Sequence, residues 1–307
     1  MKLVYFLLGR LLASIAVVFC VISLSFVLIR QIPGDPFISE KDANPLVREV
    51  IRAKYGLDKP PLVQYWNFIR GAIVLDFGPS YTYRSWDVMD LIIMGFPVSA
   101  FLGFLALTLA TFLGVFAGAL AAAKRNSWAD YLTMAIVVLG ICLPNFFVAP
   151  LLVMIFSLIL MWFPPAGWGG FSQLVLPVIV LSLPYIAYIS RLTRAGMIEA
   201  LGKDYIRTAR AKGLKESKVI FEHALRNGIV PVITFLGPAA AGILTGSFIV
   251  ETIFHIPGMG KYFVYAFINK DYSLILGAIF IYSLLLVFFN FLVDISYYFI
   301  DPRTREN

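Results

Sequence analysis

Residues 205–227 read YIRTARAKGLKESKVIFEHALRN, with a charge every two or three residues in a chain that is otherwise oily. From Arg191 to Arg226 nine bases stand against four acids, a surplus of five positive charges in one loop. The apolar residues of this region recur at helical spacing. Met197, Ile198, Leu201, Tyr205, Ile206 and Ala209 fall mostly three or four apart, with charges between them. Gly213 interrupts, and Leu214, Val219, Ile220, Ala224 and Leu225 begin a second amphipathic run. The pattern predicts a helix, a glycine corner and a second helix. Such a pair either lies on lipid headgroups or docks into a groove of a partner protein, and the spacing alone leaves both open.

The rest of the chain sets the solvent. Of 307 residues, 60% are hydrophobic and 14% charged, with a mean hydropathy of +0.85. Soluble globular domains carry about 25% charged residues, so this chain cannot cover itself in water and belongs in a membrane. Its net charge of +7 sits in clusters beside apolar runs. That is the signature of cytoplasmic loops under the positive-inside rule, and it excludes nucleic acid as the partner. Cys20 and Cys142 lie inside apolar runs and read as small fillers, with neither a disulfide framework nor zinc spacing.

Crossing a bilayer takes about 20 apolar residues, and six runs qualify. They are residues 11–29, 96–123, 131–163 (interrupted by Pro144 and Pro150, hence kinked), 172–190, 228–250 and 273–300. The first follows Lys2 and Arg10 and is too long for a cleaved signal peptide. Lys124-Arg125, the loop of about residues 191–227, and Arg303 with Arg305 place three clusters and both termini in the cytoplasm. Residues 31–95 hold seven bases and eight acids and fall outside. There Asn44-Pro45 reads as a helix start and Gly56 as its end, while Trp66, Tyr81, Tyr83 and Trp86 suit the membrane interface. The fold class is all-α and polytopic. Residues 1–95 form the first span and an external polar segment with short helices, and residues 96–307 form a five-helix core.

The chemistry is as telling for what it lacks. No G-x-x-x-x-G-K-[ST] occurs, so ATP hydrolysis resides elsewhere. His223 and His255 are too far apart for H-E-x-x-H chemistry and read as surface or packing residues. Glu251 and Asp294 end spans near an interface, where a snorkelling or paired role is the expectation. No chain of acids crosses the midplane, which argues against a proton-coupled carrier. Asn145, Ser182, Tyr185, Thr245, Ser247 and Asn290 are the polar groups available to line a path.

The basic loop resembles the cytoplasmic loop of binding-protein-dependent ABC importer permeases, whose pattern is E-A-A, three residues, Gly, nine residues, I-x-L-P. With its Gly on Gly213, Arg207, Thr208 and Ala209 take the E-A-A positions, and His223, Ala224, Leu225 and Arg226 the I-x-L-P positions. Only Ala209, Gly213 and Leu225 match that general pattern. YIRTARAKGL followed by HALRN is similar to the form found in the peptide and nickel branch. So are RQIPGDPF (30–37), AKYGLDKP with QYW (53–66), DFGPS (76–80), GSFIVETIFHIPGMGK (246–261) and KDY (270–272). APLLVMIF (149–156) and TGSFIVETI resemble the oligopeptide permeases most closely.

The resemblance covers essentially the whole chain and implies a type I importer permease fold in a bacterial inner membrane. It implies a coupling helix seated in a cytoplasmic ATPase, with Tyr205, Arg207, Thr208, Ala209, Arg210, Lys212, Gly213, His223 and Leu225 at that contact. The partners implied are a second homologous permease, two ATPase subunits that bind ATP and Mg, an extracytoplasmic peptide-binding protein, the peptide itself and membrane lipid. This chain binds no cofactor in that scheme. A dipeptide, nickel or glutathione permease is the alternative within the family; a proton-driven carrier or a scaffold without transport are the alternatives outside it.

Overall fold

The computed structural model describes residues 2–31, 49–50, 52–53, 55–83 and 85–300. Among these, five helices or helix pairs are long and apolar enough to cross a bilayer, and a sharply bent pair makes a sixth span. The first span lies in helix Lys2–Arg30 and the second is Val88–Ala123. The third is Trp128–Cys142 followed by Asn145–Leu152, which widens into the π-helical Val153–Ile159. The fourth is Phe171–Leu201, the fifth Val230–Leu244 with Phe248–Ile253, and the sixth is Tyr272–Ile300. Helices dominate because a backbone in lipid has only its own groups to bond with.

Two breaks are written by residue chemistry. The third span bends by 104° between Cys142 and Asn145. Pro144 lacks an N–H and forces Leu143 out of the helical region, to φ −91°, ψ 114°. The chain restarts with Phe147 N–H donating to the Pro144 carbonyl at 2.9 Å. The expected kink of this span thus falls at Pro144; Pro150 does not interrupt Asn145–Leu152, just as Pro97, Pro177, Pro184 and Pro238 sit inside their helices. The fifth span breaks at Thr245–Ser247, where Gly246 adopts φ +96°.

Span ends depart from the polarity boundaries. The second helix begins at Val88, well before residue 96, because Val88, Leu91 and Ile92 pack into the core beside Leu274 and Ile275. The fourth continues past Ser190 to Leu201, so Arg191, Arg194 and Met197 belong to the span itself. Gly202 and Lys203 close it with bonds to the Glu199 and Ala200 carbonyls. Two helices therefore replace the single amphipathic run expected from Met197 to Ala209.

The long polar segment is tied to the spans. The start expected at Asn44-Pro45 lies outside the described residues. Its end at Gly56 is a Schellman turn: φ is +65°, Gly56 N–H donates to Ala53 and Leu57 N–H to Arg52. Helix Pro61–Ile73 lies along the first span through Tyr65 and Ser23, whose hydroxyls are 2.6 Å apart, and through Gln64 and Arg30. Asp271, fully buried, accepts from Leu274 N–H at the start of the sixth span and from Ser80 Oγ and Thr82 N–H. Tyr81 is half-buried beside them, and desolvation pushes its phenol up to about 12. Cys20 and Cys142 are free and exposed on their helices.

Small residues set the interhelix distances. A Cβ on Gly118 would collide with the Ser190 carbonyl and with Thr193 of the fourth span. We expect Gly118→Val to force the second and fourth spans apart at a cost of about 1–3 kcal/mol, lowering the melting temperature in detergent. Gly9→Val, whose Cβ meets open space, serves as the control. Equal melting temperatures for both variants would refute the close contact.

Candidate functional site

The basic loop folds as two arms on the ends of the second and fourth spans. The first arm is helix Asp204–Ala211. Ile206 and Ala209 turn inward onto Ala119, Ala122, Met197 and Ala200, while Tyr205, Arg207, Thr208 and Arg210 stay outside. At its end Gly213 takes φ +76°, its N–H donates to Arg210 at 2.9 Å, and Leu214 N–H reaches back to Ala209 at 3.4 Å. This is a second Schellman turn, with Leu214 packing on the same apolar cluster. The predicted glycine corner is present and its geometry explains it. Nothing lies within 4 Å of a Cβ built on Gly213, so conformation rather than space demands the glycine.

The second arm runs through Glu216–Lys218, the π-helical Val219–Ala224 and Leu225–Gly228. Val219 and Ala224 are fully buried against the first arm and the spans. Arg210 grips Glu216 across the corner with two bonds, at 3.1 and 2.6 Å. That guanidinium holds the Glu216 carboxyl below its ordinary value, and the carboxylate in turn raises that of Arg210. Asn227 Nδ2 donates to the Tyr205 hydroxyl at 3.0 Å and joins the arms at their open end. Gly228 then lies against the backbone of Gly196 and Met197, so the element rests directly on the fourth span.

Of the residues read as coupling positions, Tyr205, Arg207, Thr208, Arg210, Lys212 and Gly213 are exposed. Ala209 is buried, His223 and Leu225 are half-buried, and His223 Nε2 is enclosed without a hydrogen-bond partner among the described residues. Many cations pair within the element or its neighbour: Lys203 with Glu199, Arg207 with Asp204 and Lys218 with Glu222. Lys212 and Lys215 are exposed and make no ion pair with a described residue.

The path candidates do not form one group. Ser182 is fully buried, and its hydroxyl bonds its own helix at Ile179. Tyr185 faces the fifth span at Phe235 and Gly242, whereas Asn290 meets it at Gly237 on the opposite side. Asn145 follows the bend of the third span. Thr245 alone of the six lines a 270 Å³ cavity, shared with Phe248, Met259, Phe263 and Tyr282 beside the break. Ser247 gives its N–H to Glu251 at 3.2 Å.

Glu251 anchors a cluster that the sequence reading treated as a span end. It is 1% exposed and accepts from Ser99 Oγ at 2.6 Å and Gly260 N–H at 2.8 Å. Ser99 in turn accepts from Met259 N–H at 2.8 Å, so one carboxylate joins the second span, the broken fifth and the loop after it. The glycines of Gly246, Gly258 and Gly260 were the available signal, since a Cβ on any of them would crowd the Glu251 carboxylate. Asp294 pairs with Arg10 of the first span at 3.3 Å.

Comparison with known families places this architecture. Residues 110–306 match the binding-protein-dependent transport system inner membrane component, and residues 3–103 match the N-terminal membrane component of such systems. The chain belongs to this family. It is 45% identical over 302 residues to the oligopeptide transport system permease protein OppB of Escherichia coli K12, covering 98% of this chain and 99% of that one. It is 45% identical over 300 residues to the dipeptide transport system permease protein DppB of Bacillus subtilis 168, covering 98% and 97%. The crystal structure of an amino acid ABC transporter with histidines superposes with a TM-score of 0.51 at 16% identity, over 68% of this chain and 93% of that one, a likeness of fold. The fold is that of an ABC importer permease, a multi-pass inner-membrane component of a transport system.

The corner carries a test of its own. A non-glycine residue at left-handed φ costs roughly 1–2 kcal/mol. Gly213→Ala should therefore lower hydrogen-exchange protection in residues 214–228 by about tenfold. Gly213→Pro should do worse, because φ +76° is closed to proline and the N–H to Arg210 is lost. Unchanged protection in both variants would reject this account of the turn.

Proposed function

We propose that this chain is the membrane subunit of an ATP-driven importer that carries oligopeptides into a bacterial cell. Its two-armed basic element docks on separate ATPase subunits, which bind ATP and Mg, and passes their closure to the spans. A second homologous permease completes the pathway, and an extracytoplasmic binding protein delivers the peptide. The observation that carries this reading is end-to-end likeness to a protein named as an oligopeptide permease, together with a stiff element seated on two span ends. A dipeptide substrate is the second reading, because the dipeptide permease relative stands at the same identity.

Reconstitution with both permeases, the ATPases and the binding protein tests the reading. We expect ATP-dependent uptake of labelled tri- to pentapeptides, with dipeptides competing weakly. Uptake confined to dipeptides would favour the second reading, and uptake without ATP would sink both.

Docking supplies a further expectation. Arg210 is held to Glu216 by two bonds, whereas Arg207 makes a single exposed 3.5 Å contact with Asp204 and Lys212 pairs with no described residue, so Arg207 and Lys212 are the cations to reverse. Single exposed pairs are worth about 0.2–1 kcal/mol, so either single change to Glu should be mild. Arg207→Glu with Lys212→Glu should reduce ATPase co-purification at physiological salt. Full recovery of the complex would mean that the element lies on lipid instead. The same reading sets the basic ends and both termini in the cytoplasm. Asn126→Cys should then react with impermeant maleimide only from that side, and labelling from outside intact cells would invert the topology.

A further inference from the structure

The third and fourth spans are joined near the basic element by an ion pair between a buried carboxylate and a partly exposed guanidinium. Arg194 Nε meets Asp130 Oδ1 and Nη2 meets Oδ2, both at 2.7 Å, a bidentate fork. Asp130 is 1% exposed and also accepts from Asn126 N–H at 3.0 Å, while Ser127 Oγ caps the Asp130 N–H at 3.4 Å. The carboxylate thus fixes both the start of Trp128–Cys142 and its register on the fourth span.

Stability alone does not account for such a pair. The Asp130 carboxylate is out of water while the Arg194 side chain keeps 29% of its surface exposed. Desolvating a carboxylate costs several kcal/mol, and apolar residues of similar volume often hold such a contact equally well. What the fork adds is direction, since two parallel bonds allow only one relative placement of the two helices.

Its position gives that direction a use. Arg194 lies two residues before Gly196, whose backbone Gly228 of the basic element touches. Any displacement of the element therefore moves Arg194. On the other side, Trp128–Cys142 is held to the fourth span again at its far end, where Gly140 packs against the Leu183 carbonyl. Beyond it comes the 104° bend, and past the bend Val148 and Ala149 pack on Val250 and Phe254 at the broken fifth span.

We propose that Asp130 and Arg194 are positioning residues of transport. They make the basic element, the fourth span and Trp128–Cys142 a single lever that pivots at Leu143-Pro144 and works Asn145–Leu152 against Phe248–Ile253. This rests on the reading that the element receives its motion from an ATPase. Neither residue touches substrate; both act by keeping the lever from slipping.

The test is the ratio of peptide transported to ATP hydrolysed, measured on the complete complex in proteoliposomes. Three variants are compared with wild type. Asp130→Asn keeps the shape and loses the charge. Arg194→Lys keeps the charge and loses the fork. Asp130→Leu with Arg194→Met leaves no unpaired buried charge, so it folds even if the single variants do not. We expect the double variant to assemble and to hydrolyse ATP within about twofold of wild type, while peptide moved per ATP falls roughly tenfold, the scale of coupling carried by such contacts. Arg194→Lys should fall less than Asp130→Asn. A double variant with the wild-type ratio would overturn the proposal, as would transport and hydrolysis declining in parallel. The wild-type control reads the underlying assumption separately: hydrolysis indifferent to substrate would sink the ATPase-coupling reading itself.

Discussion

The structure depends on how closely the second and fourth spans approach. Between helices in lipid there is little hydrophobic driving force, because the hydrocarbon outside is as apolar as the side chains inside. Association then rests on packing, and packing between backbones requires residues without bulk. Gly118 supplies this against Ser190 and Thr193, and Gly114 against Ile189, around a small core of Ala110, Ile189 and Val232. The seam fixes two helix ends side by side, and those ends are the seat of the basic element: Ala119 and Ala122 from one, Met197 and Ala200 from the other.

A second constraint governs the buried acids. Wherever a helix starts or breaks in an apolar setting, backbone N–H groups are left without carbonyl partners. Asp130 accepts the Asn126 N–H at the start of the third span, Glu251 those of Ser247 and Gly260 around the break in the fifth, and Asp271 those of Thr82 and Leu274 at the start of the sixth. Each also takes a side-chain donor: Arg194, Ser99 and Ser80 respectively. These carboxylates are committed to holding discontinuities together.

This explains what could be read from the sequence and what could not. Apolar runs report which residues meet lipid, so six spans and an all-helical class were legible from composition and length. Gly213 and Gly56 were legible because a left-handed turn calls for glycine. Span ends were not, because a helix stops where its hydrogen bonds and caps stop. Val88 is helical in a region whose charges read as loop, and Leu201, read as part of a separate amphipathic helix, ends the fourth span itself. Nor could periodicity show that Asp130 faces Arg194 or that Glu251 faces Ser99, since a pattern gives the face of a helix but not the register between helices far apart in sequence. For the same reason Tyr185 and Asn290 looked like members of one path and lie on opposite sides of the fifth span.

The basic element, finally, is stiff in a way its charge count conceals. Arg207 and Lys218 are engaged with acids one turn away on their own helices, and Lys203 with an acid at the end of the fourth span. Arg210 spends its charge closing the corner on Glu216. Exposed pairs of this kind contribute little to stability individually, but each removes freedom from a long side chain. The Tyr205–Asn227 bond and the buried Val219 and Ala224 hold the two arms together, and Gly228 presses the assembly onto the fourth span. A flexible loop of the same charge would absorb a push locally. An element held at both arms and resting on backbone has no such slack between itself and the helix beneath.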